Sequence, residues 1–354
     1  MATYGGIDLG GTKIQTIVMR TQTGAPTEGH PEGRTPRGAP RGAYPEGTRQ
    51  AGKQAGGEDH TVLGQARRLT PHEGGPSAVV DALVACMSEA AAAAQLDVAH
   101  LDGIGAGVPG EVDAAAGTLA RAGNLSEWED RVPLAAMLSE RLGPSVKLGN
   151  DVSVAANAEL LLGAGRGAAS LLGVFWGTGV GGGVAFDGEL WHGRGDAGEI
   201  GHMVVKQGGT RCTCGRRGCM EAYAGRRAME VKAKRMVEKG HHTDLFEIMR
   251  ERDRETLSSG VWAHALKHED KLAQRLIERA VKALGSGIAS AVNLLDVELV
   301  LLGGGLGSRF GEPMLERILA AMKPHLFKDE QPPTMRLASL GDLGGAIGAA
   351  LLCE

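Results

Sequence analysis

Asp8-Leu9-Gly10-Gly11-Thr12-Lys13 separates two apolar runs, Thr3–Leu9 and Lys13–Arg20. Gly177-Thr178-Gly179-Val180-Gly181-Gly182-Gly183 does the same between Leu171–Trp176 and Gly183–Phe186 in the other half of the chain. Each reads as strand, glycine turn, strand. Backbone N–H groups in such a turn can face a phosphate because no Cβ blocks the approach. One glycine hairpin is a weak signal, since glycine motifs have many false positives. Two of them, one per half, describe two lobes that grip a phosphate chain between them. Gly303-Gly304-Gly305, after the apolar strand Val297–Leu302, is a third glycine turn and suits close backbone approach to a nucleoside.

The remaining pattern is mixed α/β in two lobes. Val62–Leu69 reads as a third strand beside the first hairpin. Helices are expected over 76–95, 133–142, 152–162, 222–239, 261–295, 313–322 and 345–352. Further strands are expected over 103–108, 146–148 and 335–340. Between Gly24 and Thr61 there is no Val, Ile, Leu, Met, Phe, Trp or Cys. That segment has little to bury against the entropy of ordering it, and reads as a disordered insertion at a hairpin tip.

Composition narrows the classes. The 354 residues are 42% apolar and only 3% aromatic, with 56 Gly, so the core is built from aliphatic side chains and many tight turns. A net charge of −4 does not favour nucleic acid, which needs a basic face. The opening MATYGGIDLGG lacks the layout of a signal peptide, and no apolar run reads as long enough to span a bilayer. A cytoplasmic location is expected by default. Three of the five Cys lie together at 212, 214 and 219, which in such a chain reads as metal binding rather than disulfides.

Two further motifs carry chemistry. Gly149-Asn150-Asp151 follows a short strand and opens a helix, so Asp151 falls at or near an N-cap, where the dipole favours its charged form. It reads either as a plain capping residue or as a general base on a sugar hydroxyl. Glu199-Ile200-Gly201-His202 precedes Cys212-Thr213-Cys214-Gly215-Arg216-Arg217-Gly218-Cys219-Met220-Glu221. His202, Cys212, Cys214 and Cys219 make a full tetrahedral zinc set, closed and structural. With one ring nitrogen on zinc, His202 keeps the other as a donor. Glu199 and Glu221 flank the cluster and are good acceptors for sugar hydroxyls.

Together with Gly107-Val108-Pro109-Gly110, these motifs stand in the order of the ROK family of sugar kinases and sugar-responsive repressors, and the chain resembles that family nearly throughout except 24–61. Within it the zinc-containing glucokinases look most similar. The resemblance implies an actin-like ATPase (ribonuclease H-like) fold, α/β and two-lobed. The expected division is an N-terminal lobe over 1–123, a C-terminal lobe over 124–342 with the zinc motif and sugar site, and a final helix over 343–354 packing back on the first lobe. It implies Asp151 as the base on the sugar 6-hydroxyl, and Asn124, Asn150, Asp151, Glu199, His202 and Glu221 as sugar contacts. Phosphate and ATP contacts are expected at Asp8, which could hold Mg2+ through water, and at Gly10, Gly11, Thr12, Lys13, Gly177, Thr178, Gly179, Gly304 and Gly305. ATP, Mg2+ and structural Zn2+ are the expected cofactors, and a homodimer or homotetramer the expected assembly. Glucose is the leading substrate. Mannose, fructose, N-acetylglucosamine or N-acetylmannosamine are alternatives, as is polyphosphate as donor. A non-catalytic sugar-binding repressor is a weaker reading, because a helix-turn-helix domain has no room before Asp8.

Overall fold

A computed structural model describes residues 1–21, 60–123, 125, 127–128 and 130–354. Residues 24–59 of the expected insertion, and the expected sugar contact Asn124, lie outside the described residues. The first half runs β1 (Ala2–Leu9), β2 (Lys13–Thr21), β3 (His60–Leu69), α1 (Gly75–Ala93), β4 (Gly103–Val108), β5 (Glu111–Asp113), β6 (Thr118–Ala120), α2 (Leu134–Leu142) and β7 (Val146–Asn150). β1 and β2 pair antiparallel from Ala2↔Thr21 to Leu9↔Ile14. His60 and Thr61, expected as the end of the insertion, are strand and pair with Thr21 and Arg20. β1, β4 and β7 run parallel, and the sheet order is β3-β2-β1-β4-β7.

The second half starts with α3 (Asp151–Leu161) and continues with β8 (Ser170–Trp176), β9 (Val180–Phe186), β10 (Glu189–Trp191), α4 (Glu221–Ala224), α5 (Arg226–Val237), α6 (Leu245–Glu251), α7 (Ser259–Lys267), α8 (Lys271–Leu295), β11 (Leu299–Gly303), α9 (Gly304–Phe310), α10 (Glu312–Met322), β12 (Thr334–Leu337) and α11 (Gly344–Ala350). Its sheet order is β10-β9-β8-β11-β12, with β8, β11 and β12 parallel. In both sheets the chain lays down an antiparallel three-strand meander and then two parallel strands beside the first. The two glycine hairpins are therefore the same turn of the same motif, used twice.

Several expected boundaries move, each for a local reason. The 261–295 helix is two: α7 ends near His268, Glu269 takes φ 58°, and Asp270 caps α8 by accepting from Ala273 N at 2.7 Å. Gly225 splits the 222–239 helix into α4 and α5. Gly181 and Gly182, expected as turn, are strand: a Cβ at Gly181 would lie 2.6 Å from Val152 Cγ2, and one at Gly182 2.7 Å from Gly198 O. Gly304-Gly305 begins α9 instead of forming a free turn. The parallel edge of the first sheet needs β7, and Leu134, Leu138, Leu142 and Leu148 fill its core. The first lobe thus extends beyond the boundary expected at residue 123.

By length and composition α1 is apolar enough to cross a membrane, contrary to the reading of the sequence. Here Val79, Val80, Leu83, Cys86, Met87 and Ala90 are fully buried in the first lobe's core. The second core is larger, built around Trp176, Trp262 and the apolar side of α8.

α11 lies on β1, β2 and β4 and against α3. The contact is backbone to backbone. A methyl at Gly6 would run into the Ala346 carbonyl, one at Gly105 into the Ala349 carbonyl, and one at Gly348 into the Val154 carbonyl. Gly105→Ala is expected to cost about 3 kcal/mol or more, because neither backbone can yield. A urea midpoint for this variant within error of the parent would contradict that packing.

Glu159, on α3, is 2% exposed. It accepts from Ala164 N (2.9 Å), Leu340 N (2.8 Å) and Ser339 Oγ (3.2 Å). Residues 162–169 join α3 to β8 and residues 338–343 join β12 to α11, so one buried carboxylate ties both connections to α3.

Candidate active site

The first hairpin is closed by Gly10 N donating to Lys13 O at 2.9 Å. Thr70 holds it from outside: its hydroxyl donates to Gly10 O (2.6 Å) and its N–H to Thr12 O (3.2 Å). Lys13 Nζ lies 3.6 Å from Asp342. The second hairpin is closed by Gly177 N donating to Gly179 O at 3.0 Å, and the start of α5 caps it. Arg226 N and Arg227 N donate to the carbonyls of Gly177 and Thr178, and the Arg226 guanidinium donates to Thr178 Oγ1 at 2.9 Å. The Thr178 hydroxyl keeps its own hydrogen to donate. A Cβ on Gly177 would lie 3.7 Å from Gly305 N, so Gly177–Gly179 and Gly304–Gly305 form one backbone-lined surface. At Gly304, φ is 80° and a Cβ would meet Trp176 O at 2.6 Å, which leaves only glycine.

Asn150, not Asp151, is the N-cap of α3: its Oδ1 accepts from Val152 N and Ser153 N, both at 3.0 Å. Asp151 is the first helical residue and accepts from Val152 N at 2.9 Å. Its position is locked from both lobes, by Gly107 of β4 on one side and, through Val152, by Gly181 of β9 on the other. Burial pushes the Asp151 carboxyl up to about 6; the Val152 N–H pulls it down, and Glu199 repels it further upward. Asp8, on β1 beside Gly107, is pushed up to about 7, first by burial, then by Asp151, with Lys13 opposing. Two carboxylates thus share a buried region in which, among the described residues, Lys13 is the one cation that acts on either. That is the electrostatic setting in which a cation arriving with a polyphosphate is favoured.

Glu199 and His202 flank a short 3₁₀ turn that sits on β9; a methyl on Gly201 would run into the Val180 carbonyl. Burial raises the Glu199 carboxyl above its ordinary range, and His202 counters. Glu199 Oε2 lies 3.8 Å from His202 Nε2. The other ring nitrogen, Nδ1, lies 3.8 Å from Cys212 Sγ, and Cys214 Sγ lies 3.7 Å from Cys219 Sγ. The four ligand atoms all fall within 4.8 Å of one another. A tetrahedron of zinc bonds has edges of roughly 3.5–3.8 Å, so the donor set fits zinc in spacing as well as in chemistry. Nδ1 is the nitrogen that would hold the metal. Nε2–H is left facing Glu199.

Burial pushes the Cys212 thiol up to about 12 and raises Cys219; Cys214 is held low, its burial outweighed by the Arg216 N–H and neighbouring thiols. Zinc uptake by the metal-free protein is therefore expected to expel at least the Cys212 and Cys219 protons at pH 7.5, with affinity falling as pH drops. A weakly buffered indicator titration measures this; uptake without proton release would contradict thiolate ligation.

Glu221 opens α4 and joins the zinc loop to the second hairpin. Its Oε2 accepts from Val180 N at 3.0 Å, and its Oε1 lies 3.4 Å from Thr213 Oγ1 and 3.8 Å from Cys212 Sγ. A methyl on Gly179 would run into this carboxylate. Thr70, Arg226, Asp342 and Glu159 were not legible as parts of this region. Only Arg226 carried a local signal, as the first residue after the Cys-rich motif's helix and its Gly225.

The sequence pattern of the ROK family matches residues 47–354. The chain belongs to the ROK family. Glucokinase from Thermotoga maritima is 31% identical to this ROK chain over 272 residues, covering 75% of it and 83% of the relative. N-acetylgalactosamine kinase AgaK from Shewanella sp. strain ANA-3 is 34% identical over 228 residues, 61% and 67% of the two chains. The crystal structure of a ROK family glucokinase from Streptomyces griseus, in complex with glucose and AMPPNP, superposes with a TM-score of 0.75 at 27% identity and covers 99% of each chain. The ROK chain accordingly has the actin-like, two-lobe fold.

Proposed function

We propose that this protein is an ATP-dependent sugar kinase that phosphorylates the 6-hydroxyl of a hexose, glucose to glucose 6-phosphate first among the candidates. The observation that carries this reading is Asp151, a raised-pKa carboxylate at the start of α3, wedged between both lobes and electrostatically coupled to Asp8 on one side and Glu199 on the other. Asp151 takes the proton of the sugar 6-hydroxyl as that oxygen bonds to the γ-phosphorus. The bond from the γ-phosphorus to the bridging oxygen breaks, and ADP leaves. Most of the acceleration in such transfers is positioning and charge neutralisation. The two hairpins, whose turns are closed by the Gly10 and Gly177 N–H groups, offer the phosphates the backbone N–H groups of Gly11 and Thr12 on one lobe and of Thr178 and Gly179 on the other, with the two threonine hydroxyls. Asp8 would hold Mg2+ through water, and Gly304–Gly305 would lie under the nucleoside.

On the sugar side, Asn124, Asn150, Glu199, His202 and Glu221 are the proposed contacts. Zinc bound by His202, Cys212, Cys214 and Cys219 would fix the loop that presents Glu199 and the His202 Nε2–H. The similarity to an N-acetylgalactosamine kinase favours a second reading, a kinase of the same mould for an N-acetylhexosamine. The deciding experiment is a coupled ADP-release assay with magnesium-ATP, run on glucose, mannose, fructose, N-acetylglucosamine, N-acetylgalactosamine and N-acetylmannosamine in parallel. Preference for glucose supports the first reading and preference for an amino sugar the second. Sugar binding without turnover on any of them, or with polyphosphate as donor, would overturn the kinase assignment.

A further inference from the structure

Away from the candidate active site, α5 and α8 carry two rows of cations. On α5 and the turn that ends it they are Lys232, Arg235 and Lys239; on α8 they are Arg275, Arg279 and Lys282. Spacings of three and four keep each row on one helix face. Lys232, Lys239, Arg275 and Arg279 line a cavity of about 440 Å³. Arg275, Arg279, Lys282 and Lys206 line a second of about 610 Å³. The shared arginines make them one elongated groove.

The groove is basic, with Lys282 alone of the six cations in its two rows compensated by an ion pair. Its one lining carboxylate, Glu278, is already paired with Lys282 Nζ at 2.9 Å. Among the described residues no ion pair reaches Lys232, Arg235, Lys239, Arg275 or Arg279. An ordinary solvated helix face interleaves acids at i+3 and i+4, as Glu230–Lys234 does on the same helix. Here the charges accumulate. The Lys232 ammonium is pushed below its ordinary range by burial and then by Arg279, Lys239, Arg235 and Arg275. Arg279 is already ordered: it donates to Thr210 Oγ1 at 2.6 Å and lies 4.4 Å over the Tyr223 ring. In a chain of net charge −4, such a concave cluster focuses positive potential at one place.

We propose that the groove between α5 and α8 binds a multiply charged, phosphate-bearing anion, an oligophosphate chain laid along the two rows of cations. Arg275 to Lys282 spans about 10 Å of α8. That is too long for a single phosphate and suits a chain of them, with planar guanidinium forks contacting successive phosphates. This site is separate from the hairpins and does not depend on the kinase reading.

The test is calorimetric titration of the full chain with inorganic tripolyphosphate in magnesium-free buffer. The parent is compared with Lys232→Glu/Arg275→Glu and with the milder Lys232→Gln/Arg275→Gln. The proposal expects the charge-reversed variant to lose on the order of tenfold or more in affinity, and the neutral variant to lose less in the same direction. Thermal melts confirm that both are folded. Parent and variants binding alike, or a parent that does not bind, overturns the site. Equal variant-sensitivity for tripolyphosphate and for ATP supports recognition of the phosphate chain whatever carries it. Sensitivity for ATP alone, or equal displacement by sulfate at matched ionic strength, overturns the oligophosphate assignment.

Discussion

Asp151→Asn is expected to lower kcat on the proposed sugar by about 10³-fold or more, while KM for the sugar changes by only a few-fold. The asymmetry follows from the role. The amide keeps the acceptor oxygen that meets Val152 N, so α3 still starts at the same place, and it keeps a polar contact for the sugar hydroxyl. What it cannot do is take the proton. In the parent, kcat/KM is expected to rise through about pH 6 as the carboxyl ionises, then level off. The variant lacks that rise.

The same substitution is expected to stabilise the fold at pH 8. The folded protein holds the Asp151 proton up to about 6, whereas an unperturbed carboxyl releases it near 3.8. Between those values the native state binds more protons than the unfolded chain, so this group's contribution to stability falls as pH rises across the window. Above it, the parent carries a desolvated carboxylate facing Glu199 and Asp8. Removing that charge is expected to raise stability at pH 8 by on the order of 1 kcal/mol, with the gain vanishing below about pH 4. Loss of sugar binding with unimpaired turnover per bound sugar would remove Asp151 from the role of base. A variant less stable than the parent at pH 8 would contradict the electrostatic account.

Cys219→Ser is expected to abolish stoichiometric zinc and raise the sugar KM more than tenfold, with a smaller loss in kcat. Cys219 is fully buried, and its thiol forms one edge of the ligand tetrahedron with Cys214. Without the metal, two thiols, a hydroxyl and an imidazole remain crowded with nothing to organise them. Structural zinc sites contribute folding free energy directly. The disturbance has two routes to the sugar. His202 Nδ1 loses its anchor, which frees the Nε2 that faces Glu199. Glu221, in contact with Cys212 and Thr213, holds Val180 N at the foot of the second hairpin. Metal analysis by emission spectroscopy, paired with sugar titration, checks both. A zinc-free variant with an unchanged sugar KM would disconnect the cluster from the site.

Much of this protein was legible in order along the chain. The two glycine hairpins, the Asn150-Asp151 helix start and the His202–Cys212–Cys214–Cys219 set are local: each depends on residue types at short spacing, and short spacing survives folding unchanged. Even there, position alone did not separate cap from base. Asn150 and Asp151 both prefer a helix N-terminus, and only the geometry assigned the cap to Asn150. Helix breaks at Gly225 and Asp270 were obscured by strong helical pattern on both sides.

Tertiary structure alone decided what comes from far apart. Gly6, Gly105 and Gly348 look like ordinary small residues until α11 lies on β1 and β4 with no room for a methyl. Glu159 reads as an unremarkable helix residue until two connecting segments bring their N–H groups to it. The cationic rows of α5 and α8 become a groove only when the helices are set side by side. The reason is the same in each case. Patterning by hydrophobicity and backbone preference acts over a turn or a strand, so it determines elements and the motifs inside them. The free energy of close backbone contact, of a buried carboxylate's partners and of summed charge depends on distances between elements, and those exist only in the folded chain.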